Sequence, residues 1–216
     1  MLAGGISTHL LWPLALWSLL PSPHPTPADI LTHVKTKRPV IAITINDGPE
    51  GRIVPAMLQL LRRHGAQATF FVSGQAIAGD PQMLLEIQEA RSEVANHGYH
   101  HRAMRGMPEY RVRREVASTA RLVADALGTG PRYLRPPYGQ FDRAWQRAGR
   151  AESERLVLWN VGGADETVHV WPRTLHPGDI IALRDDTEGL RRLRQALAMA
   201  EQLHLQPVTL SALLQG

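Results

Sequence analysis

Val40-Ile-Ala-Ile-Thr-Ile-Asn-Asp-Gly48 (VIAITINDG) decides how this chain is read. Its first six residues, Val40 to Ile45, form an unbroken run rich in β-branched side chains, the composition of a strand buried in a mostly parallel sheet. A polar cluster, Asn46-Asp47-Gly48, follows at once. Downstream, Ile53–His64 carries Met57, Leu58, Leu60 and Leu61 along one side of a helix, with Gly65 as its stop.

The same alternation repeats to the end of the chain. Ala68–Val72, Glu93–Asn96, Tyr133-Leu134, Leu156–Trp159, Ile180–Leu183 and Val208-Thr209 read as further strands. Between them, Pro81–Arg91, Pro108–Leu127 (closed by Gly128), Phe141–Gly149 and Glu188–Leu203 read as helices, with a short terminal helix after Thr209. Repeated βα units bury their apolar faces either as a barrel or as a doubly wound sheet, and in both the active residues gather at the carboxyl ends of the strands. The polar clusters sit there: Asn46–Gly48, His97–His101, Arg135–Gly139, Asn160–Asp165 and Arg184–Asp186. They are expected to converge on one rim.

Composition narrows the chemistry. The chain has 216 residues, 44% apolar and 20% charged, which is enough for one substantial core and sets disorder aside. With no cysteine, a thiolate nucleophile, a disulfide scaffold and thiolate metal ligation are excluded. A net charge of +4 raises nucleic acid as a partner, but apart from Lys35 and Lys37 the basic residues are arginines interleaved with acids, as in Arg113-Arg114-Glu115, without aromatic interleaving. No nucleic-acid partner is expected.

The amino terminus divides the chain into residues 1–37 and 38–216. Leu10–Leu20 (LLWPLALWSLL) is apolar and is followed by the Pro-rich PSPHPTPAD. An export signal or short, weakly membrane-associated anchor fits the run, although only His9 stands where Lys or Arg would precede it. A misplaced start or a packed amphipathic segment fits as well. The first reading implies an exported, periplasmic or cell-envelope protein, the second a cytoplasmic one.

His97 and His101, in NHGYHH, gain meaning beside Asp47 at the end of another strand. Two imidazoles and a carboxylate suit Zn²⁺, with Co²⁺, Ni²⁺ and Fe²⁺ as alternatives, and leave open positions for water and a carbonyl oxygen. A cluster held only by hydrogen bonds is the competing reading. His100 has no role that the spacing requires.

These landmarks resemble the polysaccharide deacetylases, the carbohydrate esterase group with the nodulation-type deacetylase domain, over roughly Pro39–Leu214. Thr44-Ile45-Asn46-Asp47-Gly48 is similar to the family's Thr-Phe-Asp-Asp-Gly, His97-Gly98-Tyr99-His100-His101 to its His-Ser/Thr-x-x-His, and Arg135-Pro136-Pro137-Tyr138-Gly139 to its Arg-x-Pro-Tyr-Gly. Asn96, Pro49 and Ala68–Val72 also follow the family pattern. The resemblance implies a distorted (β/α)7 barrel, a metal held by Asp47, His97 and His101, and an N-acetylated glycan as partner. It implies an oxyanion-binding segment at Pro137, Tyr138 and Gly139, an arginine (Arg135) that orients the catalytic base, and an acid (Asp165) that steadies the arginine.

Two positions depart from the pattern. Asn46 stands where the family has its catalytic aspartate, and an amide has no useful basicity near neutral pH. In Ile181-Ala182-Leu183-Arg184-Asp185, Arg184 stands where the family's closing Leu-x-His has its proton-donating histidine. A guanidinium stays charged and is a poor donor in catalysis; Arg184 is free instead to bind an anion or to pair with Asp185 or Asp186. A pseudoenzyme that binds metal or glycan is the first expectation. A slow, altered hydrolase using Asp185, Asp186 or Glu50 as base is the alternative. Between Trp159 and Gly178 the chain also departs from the family, and Trp171 is read as either a sugar-stacking or a packing residue.

Overall fold

The structure, a computed structural model, describes residues 30–48, 53–163 and 171–215. The deciding stretch forms strand β1, Val40–Asp47, buried from Ile41 through Asn46. Parallel strands flank it: β2 (Thr69–Val72) pairs with its carboxyl half and β7 (Ile180–Arg184) runs along Ala42–Asn46. Outward from β2 lie β3 (Glu93–Asn96), β4 (Tyr133–Leu134) and β5 (Arg155–Leu156), and β6 (Val161–Gly162) lies beyond β7. The short β8 (Gln206–Val208) pairs with the start of β1 at Val40–Ala42. This curled path of parallel strands, with helices packed on it, is the expected distorted (β/α)7 barrel.

Side-chain alternation on β1 separates two environments. Ile41, Ile43 and Ile45 pack outward into the core shared with α1 (Ile53–Arg63), α3 (Gln82–Glu89) and α6 (Thr187–Gln202). Ala42 faces inward, packing with Phe71, Ala95, Tyr133 and Ile180 and with Leu210 and Leu213 of α7 (Leu210–Leu214). Thr44 and Asn46 share that inward face, which carries polar groups towards the rim.

The longest helix, α4 (Glu109–Leu127), buries Val112, Val116, Ala120 and Val123 at helical spacing. Gly128 ends it at φ 73, where its N–H closes on Ala124 O. α5 (Arg143–Ala151) is capped by Asp142 and packs Trp145 and Ala148 against Leu134 and Leu156. α6 starts immediately after β7: a Cβ on Gly189 would lie 1.8 Å from Arg184 O, so only glycine allows the helix this close to the strand end.

Several elements differ from the sequence reading. α2 (Gly74–Gly79) is absent from it because glycines are weak helix formers. Packing and the Ser73 cap hold this helix in place; a Cβ on Gly74 would fall 2.3 Å from the Tyr99 ring. The strand expected at Leu156–Trp159 ends at Leu156, because the Val157 and Leu158 carbonyls turn to the Arg135 guanidinium. Packed chain also reaches upstream of Arg38: Leu31 is buried, and its N–H and C=O bond Leu156 and Leu158. The apolar run Leu10–Leu20 and the Pro-rich stretch after it lie outside the described residues.

Candidate metal centre and its flank

Two segments bring the expected ligands together at the rim. Asp47 ends β1 with φ 84. The loop after β3 carries His97 and His101, and here Asn96 acts as a brace. Asn96 Oδ1 accepts from Gly98 N (2.9 Å), while Nδ2 donates to Val116 O (3.0 Å) and Glu154 Oε1 (2.9 Å). Glu115 on α4 holds the next turn. Its Oε2 accepts from the N–H groups of Tyr99 (3.0 Å) and His100 (2.8 Å), and Oε1 lies 2.7 Å from His100 Nδ1. The spacing in the sequence assigned Glu115 nothing, since a contact between a loop and a helix turn far along the chain leaves no local signal.

The donor atoms of the three residues turn towards one another. His97 is fully buried, and its Nδ1 lies 2.7 Å from Arg135 O. A carbonyl only accepts, so Nδ1 carries the proton and, in the neutral ring, Nε2 presents a lone pair. Burial, only partly opposed by Asp47, lowers the His97 pKa and keeps the ring neutral. That lone pair faces Asp47 Oδ1 at 3.4 Å, and His101 Nε2 approaches the same oxygen at 2.8 Å. Neither Asp47 Oδ1 nor His97 Nε2, both buried, has a hydrogen-bond partner among the described residues. Burial pushes the Asp47 carboxyl up, but the two imidazoles outweigh it and hold the group ionised.

The three donors lie within 4.8 Å of one another. Donors at about 2.1 Å from a shared ion stand about 3.0–3.4 Å apart, so the two carboxylate–imidazole separations, 3.4 and 2.8 Å, and the donor chemistry suit a divalent cation. Asp47, His97 and His101 would hold it.

Arg135, fully buried, ties the centre to the barrel interior. Its Nη1 donates to Thr44 Oγ1 (2.7 Å) and Asn46 Oδ1 (2.8 Å), and Nε and Nη2 donate to the Val157 and Leu158 carbonyls. The guanidinium lies 4.0 Å from the centroid of Phe71. Burial brings its pKa down to about 9. Asp165, the acid expected beside it, lies outside the described residues, as does Glu50.

Asn46 and Arg184 are direct partners in the β1/β7 register. Asn46 is wholly buried, and its Nδ2 has no hydrogen-bond partner among the described residues. Arg184 Nε bridges Asp186 Oδ2 (3.2 Å) and Asp47 Oδ2 (3.3 Å). The pairing with Asp186 was one of those expected, whereas the contact with Asp47 was not. Asp186 also caps α6 through Gly189 N, so both its oxygens are engaged. Asp185 is buried and lines a cavity of about 380 Å³ together with Asp47, Ser73, Gln75, His100 and His101.

The Pro137–Gly139 segment forms a 3-10 turn beside the centre. Tyr138, at φ 58 and 40% exposed, sets its ring 4.9 Å from that of His101. Gly139 is pressed on Trp159, where a Cβ would come within 2.9 Å. Asp47, His101 and Tyr138 thus share left-handed backbone, which costs a residue with a side chain about 1–3 kcal/mol and persists where the surroundings impose it. Trp171 packs against the outer core with Arg192 5.8 Å from its ring, which is its packing role.

Comparison with known proteins agrees with this geometry. A family model for polysaccharide deacetylase matches residues 33–154. A chitooligosaccharide deacetylase from Rhizobium leguminosarum bv. phaseoli is 32% identical over 159 residues, 69% of this chain and 69% of that one. A peptidoglycan-N-acetylglucosamine deacetylase from Bacillus cereus is 27% identical over 58% of this chain but only 46% of its own length. Among solved structures, a CE4 family pseudoenzyme from Bacillus anthracis superposes with TM-score 0.78 at 21% identity, covering 86% of this chain and 69% of that one. A family 4 carbohydrate esterase from Streptomyces lividans gives TM-score 0.69 at 27% identity, covering 78% and 91%.

Proposed function

This chain belongs to the polysaccharide deacetylase family, and on that premise we propose that it is a metal-holding, glycan-binding member whose hydrolytic machinery is disabled at Asn46 and Arg184. One observation carries the reading: these two residues face each other across the β1/β7 ladder, beside the candidate ligand Asp47. In the family's pattern those positions belong to the proton-accepting aspartate and the proton-donating histidine. An amide and a guanidinium exchange no protons near neutral pH, and general acid–base help is worth about 10²- to 10⁴-fold.

The metal we assign is zinc, with cobalt, nickel or ferrous iron able to use the same donors. A divalent ion there supplies Lewis acidity for an acyl oxygen and acidifies water. Arg135 holds the Asn46 amide oxygen and fixes His97 through its own carbonyl, so the inherited frame persists without a base. The ligand we propose is an N-acetylated amino-sugar glycan, the substrate class that the names of the Rhizobium and Bacillus cereus relatives indicate. Half-exposed Tyr138 at the rim offers a face for a sugar ring. The apolar run Leu10–Leu20 supports a place at the cell envelope; among the described residues no helix is long and apolar enough to cross a membrane.

Slow hydrolysis is the second reading, favoured by Asp185, whose buried carboxyl lines the same cavity as Asp47 and His101. Calorimetric titration of the zinc-loaded chain with N-acetylglucosamine oligomers, with acetate assayed in the same cell, separates the two. Binding without acetate is expected; steady acetate release would overturn the pseudoenzyme reading and point to Asp185.

A further inference from the structure

We propose that Arg184 is a built-in competitor for the cation at Asp47, an internal counter-charge that stabilises the metal-free centre and weakens divalent-ion binding. The inference rests on the reading of Asp47, His97 and His101 as a metal centre. It begins from the division of labour at Asp47. Oδ1 faces the two imidazole nitrogens, whereas Oδ2 lies 3.3 Å from Arg184 Nε. One carboxylate thus serves the candidate ion site with one oxygen and a permanent cation with the other.

Arg184 is held in that place. Its backbone is fixed opposite Asn46 in the ladder, α6 begins against its carbonyl, and Asp186 grips the same Nε at 3.2 Å. Asp186 is itself anchored as the cap of α6. The same Nε thus serves both carboxylates, and Asp186 keeps the guanidinium beside Asp47.

Acceptors behind a histidine ligand raise its basicity, and a ligating carboxylate is itself commonly hydrogen-bonded. A guanidinium brings a full positive charge to that place: it draws charge from the carboxylate and repels the incoming ion. Even at a water-like dielectric, a unit charge about one carboxylate away from a divalent ion weakens binding by about 10-fold. Its side chain is 44% exposed, so salt screens part of the effect.

The test is zinc titration of the chelator-stripped full chain, comparing the unaltered protein with Arg184→Met, Arg184→Gln, Arg184→Lys and Asp47→Ala, each checked by melting in EDTA. Both neutral variants are expected to bind Zn²⁺ about 10-fold more tightly or better, and to melt lower without metal than the unaltered chain. Arg184→Lys, which keeps the charge, should stay within about threefold of it. Unchanged or weaker zinc binding in the neutral variants, with Asp47→Ala still losing the metal, would overturn this inference and leave the metal centre standing. Equal tightening by Lys would overturn it too, because charge would not be the cause. Zinc binding by none of the chains would overturn both.

Discussion

The two edges of β1 offer a comparison. On the β2–β3–β4 side, Asp47 meets His97 and His101, Asn96 and Glu115 brace the ligand loop, and the family model matches through Glu154. On the β7–β6 side, beyond that match, Arg184 faces Asn46 and leans on Asp47. The candidate metal ligands lie on the first side and the pair we propose as altered proton carriers meets across the second, with β1 contributing adjacent residues, Asp47 and Asn46, to both. On the proposed reading, the contrast teaches that a site can keep the frame of a reaction while the groups that move protons change, because the two residues that β1 supplies find their partners on opposite edges, Asp47 in the histidine loop after β3 and Asn46 in β7.

Removing the first side should have the largest effect. Asp47→Ala or His97→Ala is expected to weaken zinc binding by about 100-fold or more, read by calorimetry or by the visible spectrum of a cobalt-substituted chain. Retained binding would mean that the ion, if any, sits elsewhere, and the contrast between the two edges would disappear.

A smaller effect tests the join between them. Among the described residues Arg135 hydrogen-bonds neutral groups, and Asn46 leaves a buried N–H group unpaired. Asn46→Asp is expected to raise stability by about 1–3 kcal/mol in denaturant melts, by giving the guanidinium a charged acceptor and removing the orphan donor. A loss of stability instead would show that Arg135 already has its counter-charge and that a second carboxylate is unwelcome there.

The last effect concerns the brace and is small only per unit of pH. Burial pushes the Glu154 carboxyl from its ordinary 4.5 up to about 9, although its bond from Asn96 opposes the shift. A raised folded-state pKa adds stability that is complete below the unfolded value and is lost as pH climbs towards the folded one. Between pH 5 and pH 8 the unaltered chain should therefore lose stability. Glu154→Gln, which keeps an acceptor for Asn96, should gain on it by up to about 1 kcal/mol per pH unit. Parallel curves for the two proteins would show that Glu154 does not titrate in this window.

The sequence made the first side of this comparison legible and left much of the second hidden. β1, α1 and α4 announce themselves by continuous β-branched residues, by 3.6-residue periodicity and by Gly128 at a left-handed stop. Asp47, His97 and His101 could be read because each polar cluster follows an apolar strand directly. Short elements could not: α2 and β6 are held by contacts from remote residues rather than by their own propensities. Nor could Glu115, which reaches the ligand loop from the side of a helix, or the Arg184–Asp47 contact, which exists only because β1 and β7 are neighbours. Leu31 was hidden for a related reason. A single apolar residue after a Pro-rich stretch carries no period, yet it completes the edge beside Val157.

In the proposed function a competent metal frame is silenced at the facing pair Asn46 and Arg184. Acetate release from N-acetylglucosamine oligomers by the zinc- or cobalt-loaded chain, set beside its Asn46→Asp, Arg184→His double variant, tests it most directly. Silence from the unaltered chain and activity from the variant are expected; turnover by the unaltered chain at a rate the variant does not improve would overturn the proposed function.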